Sequence, residues 1–139
     1  MKSEESGLNA QDISLGEFIK LLVLKLDGKG VAMPFRNEEK WHTFFYGLKS
    51  NHDSKGRPTF LDGLFFDWDG PSPKCQDLSE YLQALHLNGF VSVANPRYDR
   101  LKVDDDVRNN ADRFGLSVGD AALAEFLDGS VESARCAFA

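Results

Sequence analysis

The chain has 139 residues, of which 42% are hydrophobic, and it carries eleven Phe, three Tyr, two Trp and a formal net charge of -6. A chain of this length is one domain's worth, burying roughly two thirds of the surface it exposes when unfolded, so composition excludes the disordered class and a self-sufficient core is expected. No run reaches the ~20 apolar residues of a membrane span; residues 21–26 are interrupted by Lys25, and residues 1–7, with Glu4 and Glu5, lack a secretory pattern, so a cytoplasmic location with no membrane partner is expected.

Residues 1–12 are small and polar and are expected to be loosely ordered ahead of a single domain over 13–139. Ser14 and Glu17 have capping-box spacing, in which a hydroxyl accepts from an orphan amide and a carboxylate reaches back to the cap. Leu15, Phe18, Ile19, Leu22 and Leu26 then form an apolar stripe, and Gly28 is a natural left-handed stop, predicting a helix over about 14–27. Asn37 as cap, followed by Glu38 and Glu39, opens a second helix whose Trp41, Phe44, Phe45 and Leu48 share one face; aromatics at helical spacing are core residues.

Residues 51–58 read as a loop closed by Gly56 and Pro58. Residues 59–68 are rich in aromatic and branched side chains, and Leu64, Phe65 and Phe66 read as a short strand buried on both faces, although so short an apolar run fits a helix as well. Gly70, Pro71 and Pro73 then force a turn. Ser72 as cap with Pro73 at the first helical position predicts a third helix with Leu78, Tyr81, Leu82 and Leu85 on its apolar face, stopping near Asn88 and Gly89. After it, residues 90–94 alternate, Asn95, Pro96 and Arg97 form a turn cluster, and residues 98–103 alternate again, which reads as a hairpin. A helix, a glycine, a strand, a turn and a return strand is the organisation of a winged helix, with the 59–68 strand able to pair as its third member. The expected fold is therefore α+β, mainly helical. Asp104 to Asp106 would cap a helix to about Phe114, and Ser117 with Asp120 would open another, containing Leu123, Phe126 and Leu127 and closed by Gly129.

Chemistry is poorly advertised. Cys75 and Cys136 share no metal-ligand spacing with His42, His52 or His86 and read as ordinary thiols, while His42 and His86 read as surface or helix-packing residues. Phosphate-binding glycine loops and nucleophile elbows are absent. Asp67 and Asp69 flank Trp68 and could serve a metal-dependent enzyme, but a hard cation wants more oxygen ligands; on an extended segment both carboxylates leave the face opposite Trp68, as at a solvated strand end. No catalytic residue, cofactor or metal is therefore expected.

The charge distribution weighs on nucleic-acid binding. Residues 104–139 hold eight acids and three bases, a balance that repels phosphate. The third helix carries Lys74 against Asp77 and Glu80, so it lacks the basic face of a recognition helix. Arg97, Arg100 and Lys102 against Asp99 leave the hairpin as a small basic patch, the surface a DNA contact would use, although the overall balance disfavours one.

The run Phe65, Phe66, Asp67, Trp68, Asp69, Gly70, Pro71, Ser72, followed by Leu78, Tyr81, Leu82, Leu85 and then Asn88, Gly89, Phe90, Val91, resembles the core of the Panacea-type domains of bacterial antitoxins and their phage-associated relatives. In those an aromatic strand leads through a Gly-Pro turn to a leucine-bearing helix and a glycine before a hydrophobic pair. Asp69 stands where that family places an aromatic residue. The resemblance implies a non-enzymatic protein that binds and neutralises another protein, with Gly70 and Pro71 as structural turn positions. From sequence, then, the preferred reading is a regulatory or adaptor module acting by protein contact through Trp68, Gly70, Pro71 and Tyr98; a winged-helix DNA-binding regulator is the alternative.

Overall fold

A computed structural model describes residues 10–31, 33–34, 38–51, 56–68, 70, 73–94, 100–103 and 121–138. In chain order these form α1 (Leu15–Gly28), β1 (Met33–Pro34), α2 (Glu38–Ser50), a 3-10 turn (Thr59–Gly63), α3 (Gln76–Leu87), β2 (Val91–Ala94), β3 (Arg100–Val103) and a final long helix, α4 (Ala121–Ala137). The domain is mainly helical, and its buried apolar side chains form one cluster.

Helix α1 begins as its sequence predicts. Ser14 Oγ accepts from the Glu17 amide at 3.2 Å and the Ser14 amide donates to Glu17 Oε1 at 3.0 Å, closing both halves of the capping box. Its stop differs from expectation: Gly28 is still helical, and the left-handed residue is Gly30 at φ 71. The Val31 amide returns to the Leu26 carbonyl at 3.0 Å and the Gly30 amide to Asp27 at 3.1 Å, so the orphan carbonyls are met two residues later than the first glycine indicates.

Phe18, fully buried, is the hub of the core, with ring centroids 5.4 Å from Phe60, 6.0 Å from Phe45 and 6.1 Å from Phe126. Trp41 and Phe44 of α2 meet Phe138 beyond the end of α4 at 4.6 and 5.6 Å. The stripe Trp41, Phe44, Phe45 is therefore core, as its helical spacing predicts. Gly129 does not close the last helix, which continues to Ala137. The reason is packing: Phe126, Leu127, Ser130, Val131 and Ala134 keep the buried face running past it, and that outweighs the ~1 kcal/mol a helical glycine costs relative to alanine. The buried Ser130 hydroxyl is satisfied by the Phe126 carbonyl at 2.8 Å.

The strands form a small antiparallel sheet in the order β1-β3-β2. Residues 91–94 pair with 100–103, Val91 opposite Val103 and Ala94 opposite Arg100; the expected turn at Asn95, Pro96 and Arg97 lies outside the described residues. The third strand is not 59–68. Residues 59–63 are a 3-10 turn, and the third member is Met33–Pro34, paired with Leu101 and Arg100. Pro34 is tolerated there because β1 is an edge, and the Trp41 indole donates to its carbonyl at 2.8 Å, fastening β1 to α2. The helix expected from Asp104 to about Phe114 and the caps at Asn37, Ser117 and Asp120 fall outside the described residues, whereas the helix expected to contain Leu123, Phe126 and Leu127 is α4.

Candidate functional site

The connection from α2 to α3 carries the candidate surface. Its start is fixed by Arg57: one guanidinium nitrogen donates to the Lys49 carbonyl at 2.6 Å, capping the last turn of α2, and to Asp62 Oδ1 at 3.0 Å. Gly56, at φ 76, lies against the Ala122 carbonyl of α4 so closely that no side chain fits. Thr59 ties the connection back to the start of the chain, donating from its amide to Ala10 and from its hydroxyl to Gln11, both at 3.0 Å.

Residues 64–68 are extended, so successive side chains alternate in direction. Leu64 is buried and Phe66 half-buried, and the Phe66 and Trp68 rings both stand edge-on to Tyr46 of α2, at 5.4 and 5.3 Å. Phe65 and Asp67 face outward, Phe65 with 76% of its surface exposed. Trp68, although seated on Tyr46, stays 54% exposed. This segment does not join the sheet; instead Asp67 and Lys74 exchange both backbone hydrogen bonds, at 2.8 and 2.9 Å, closing a loop with Gly70 (φ 152) exposed within it. That bridge also corrects the expected helix start. Lys74 is occupied by the bridge, so Pro73 is not helical and α3 begins at Gln76 with Cys75 as its cap.

Of the residues singled out from sequence, Trp68 and Gly70 lie on this loop, and Asp67 at its neck. Pro71, Asp69, Tyr98 and Arg97 are outside the described residues. Arg100 and Lys102 lie on β3, the middle strand. The residues that sequence reasoning missed are Phe65, read as part of a buried strand, and Tyr46, which supports Trp68. Tyr46 is legible only as the aromatic of α2 that falls off the Trp41, Phe44, Phe45 stripe. Tyr81, expected on the apolar face of α3, is 43% exposed; its ring lies over Gly16 of α1, whose missing side chain makes the room.

A Ser-His-Glu group sits where α2 meets α3. His42 is 4% exposed; its Nδ1 accepts from the Cys75 amide at 2.9 Å, while Nε2 lies 3.1 Å from Ser79 Oγ and 3.5 Å from Glu38 Oε1. The Ser79 hydroxyl donates to Glu38 at 2.9 Å. A hydrolase triad needs the hydroxyl on one ring nitrogen and the carboxylate on the other. Here both lie on Nε2, and the amide on Nδ1 dictates the tautomer in which Nε2 carries the proton, so His42 has no free nitrogen with which to deprotonate Ser79. The group is a clip that ties α3 to α2.

A shallow cleft of about 330 Å³ between α2 and α4 has Leu48, Asn51, Glu125, Phe126, Ser130 and Ser133 among its walls. Among the described residues, no three His, Cys, Asp or Glu side chains gather where they could hold a metal ion, and no helix is long and apolar enough to cross a membrane. No protein-family profile, curated protein or solved structure matches the chain.

Proposed function

We propose that this chain is a non-enzymatic regulatory or adaptor module that works by contact with another protein through the loop at Trp68. The observation that carries this reading is that two large aromatic side chains, Phe65 at 76% and Trp68 at 54% exposure, flank the neck of a loop closed by the Asp67–Lys74 bridge, with Trp68 seated on Tyr46. Tryptophan and other aromatics held in fixed positions are the side chains that dominate protein interfaces, because little conformational freedom remains to be lost on binding.

A winged-helix-like arrangement fits the same reading. What supports it is the order α1, β1, α2, α3, β2, β3, with the short strand between the first two helices lying beside the strand that follows β2. In such an arrangement α3 is the element that meets a partner, and the exposed loop enters directly before it. Asp77 and Glu80 on the outer surface of α3 favour a protein over a phosphate backbone. The antitoxin-like reading stays within this proposal, resting on the sequence pattern through residues 65–91.

The test is a tagged chain purified from its native host alongside the Phe65→Ala/Trp68→Ala variant, with circular dichroism and thermal melting to show that both are folded. A stoichiometric protein partner recovered with the wild type and lost with the variant is expected. Equal recovery from both folded proteins excludes this surface as the contact.

A further inference from the structure

We propose that the partner surface seated on this loop is a basic segment, in which arginine or lysine side chains lie against Phe65 and Trp68 while their charges face the acids around them. This deepens the contact reading above and rests on it. The argument is charge complementarity. Residues 57–80 contain Asp62, Asp67, Asp69, Asp77 and Glu80 against Arg57 and Lys74, a net of -3 in a chain whose total is -6. Asp62 is engaged by Arg57 at 3.0 Å and Glu80 by the Gln76 side-chain amide at 3.0 Å. Asp67 and Asp77 are exposed, one at the neck of the Trp68 loop and the other in the first turn of α3, shortly after Lys74 closes the bridge.

Exposed apolar rings and carboxylates in one short stretch of chain suit one class of group well. A guanidinium or ammonium brings an apolar stem or planar face for the ring and a cation for both the ring's negative face and the carboxylates. A neutral apolar partner would leave the carboxylates desolvated without a counter-charge. A nucleic acid or an anionic lipid surface would meet the same carboxylates as like charges. The Asp67–Lys74 bridge fixes the backbone at the neck of the loop, and Trp68 rests edge-on against Tyr46.

The probe is an oligoarginine peptide, and the reporter is built in. Trp41 is 1% exposed and Trp68 54%, so a peptide that docks on the loop changes the emission of Trp68, with Trp68→Phe giving the baseline. The expected result is saturable quenching that weakens about tenfold between roughly 50 and 300 mM salt. Phe65→Ala should weaken it about threefold to fivefold, the size of an exposed cation–ring contact, and Asp67→Asn/Asp77→Asn by at least that much, whereas Glu125→Gln/Glu132→Gln on α4 leaves it within about twofold. The proposal is overturned by an unchanged Trp68 signal, by binding that Asp104→Asn/Asp105→Asn/Asp106→Asn removes while Asp67→Asn/Asp77→Asn does not, or by quenching with duplex DNA or anionic vesicles instead. If the host partner is lost with Phe65→Ala/Trp68→Ala but presents a neutral or acidic surface, the basic-partner inference fails and the contact reading stands.

Discussion

The aromatic residues of this protein have opposite fates in two regions. On α1, α2 and α4, Phe18, Trp41, Phe45 and Phe126 recur at helical spacing and are buried; on the extended connection, Phe65 and Trp68 stand in solvent. The residue type is the same, so composition cannot decide the outcome. What decides it is the period of the backbone: a helix gathers every third and fourth residue onto one face, whereas an extended chain sends neighbours to opposite sides, so Leu64 and Phe66 turn inward and Phe65 outward, while Trp68, on the inward side, rests on Tyr46 and still keeps 54% of its surface exposed. The first region is therefore held by its apolar stripes, and the second by a few buried side chains, Leu61 and Leu64 among them, together with backbone bonds and single polar clips.

The sharpest way to break that comparison is to remove one ring from each region. Phe18→Ala deletes the side chain that meets Phe45, Phe60 and Phe126 and is expected to cost about 3–5 kcal/mol of unfolding free energy, measured by urea denaturation. Phe65→Ala, deleting a ring that is three-quarters exposed, should stay within about 0.5 kcal/mol of wild type. A large loss from Phe65→Ala would mean that the outward side of the connection is anchored as its Leu64 side is, and the contrast between the two regions would be wrong.

Next in size is the seat of the connection on α4. Gly56→Ala forces a left-handed alanine into the Ala122 carbonyl, whereas Gly30→Ala meets the same left-handed backbone, φ 71 against 76, in open space. The second is expected to cost about 1–2 kcal/mol for conformation alone, and the first about 1–3 kcal/mol more, because backbone must move to make room. The difference between the two, read by thermal and chemical denaturation, isolates the contact from the conformation. Equal costs would show that the connection lifts off α4 without consequence.

The His42 clip is the third expectation. His42→Leu fills the volume but leaves the buried Cys75 amide without its acceptor, which should cost about 1–3 kcal/mol. Hydrogen exchange at the Cys75 amide should accelerate by more than the global destabilisation explains. If exchange there tracks global unfolding only, the amide is not held by the ring.

These contrasts also mark what is readable in advance. The start of α1, the buried faces of α1 and α2, the apolar positions Leu78, Leu82 and Leu85, and the pairing of residues 91–94 with 100–103 are all legible, because each rests on a local period or a cap a few residues wide. The errors fall where a distant residue overrides the local signal. Gly129 reads as a stop, yet the face around it packs on α1 and α2; Pro73 reads as a helix start, yet Lys74 is claimed by Asp67; residues 64–66 read as strand, yet the partner β3 is taken by Met33 and Pro34. The turn chemistry around Trp68 marks it as a candidate, but the exposure of Phe65 and the support of Tyr46 depend on which side of an extended segment faces α2, and no local pattern fixes that.

The smallest expected effect bears on the same division. At α1 the amide of the cap residue is accepted by Glu17, three residues away; at α3 the corresponding amide, that of Cys75, is accepted by His42, thirty-three positions away. One helix start is written locally and the other by tertiary structure. Ser14→Ala removes the local hydroxyl and should cost about 1 kcal/mol. Because Glu17 still holds the backbone amide at position 14, a double variant with Glu17→Ala should lose more than either single change. At α3 no local substitution can imitate the loss of His42, since Cys75 makes no side-chain capping bond. If Cys75→Ala nevertheless destabilises by more than the loss of its sulfur from a buried site explains, a local cap operates at α3 as well, and the two helix starts differ less than their bonds indicate.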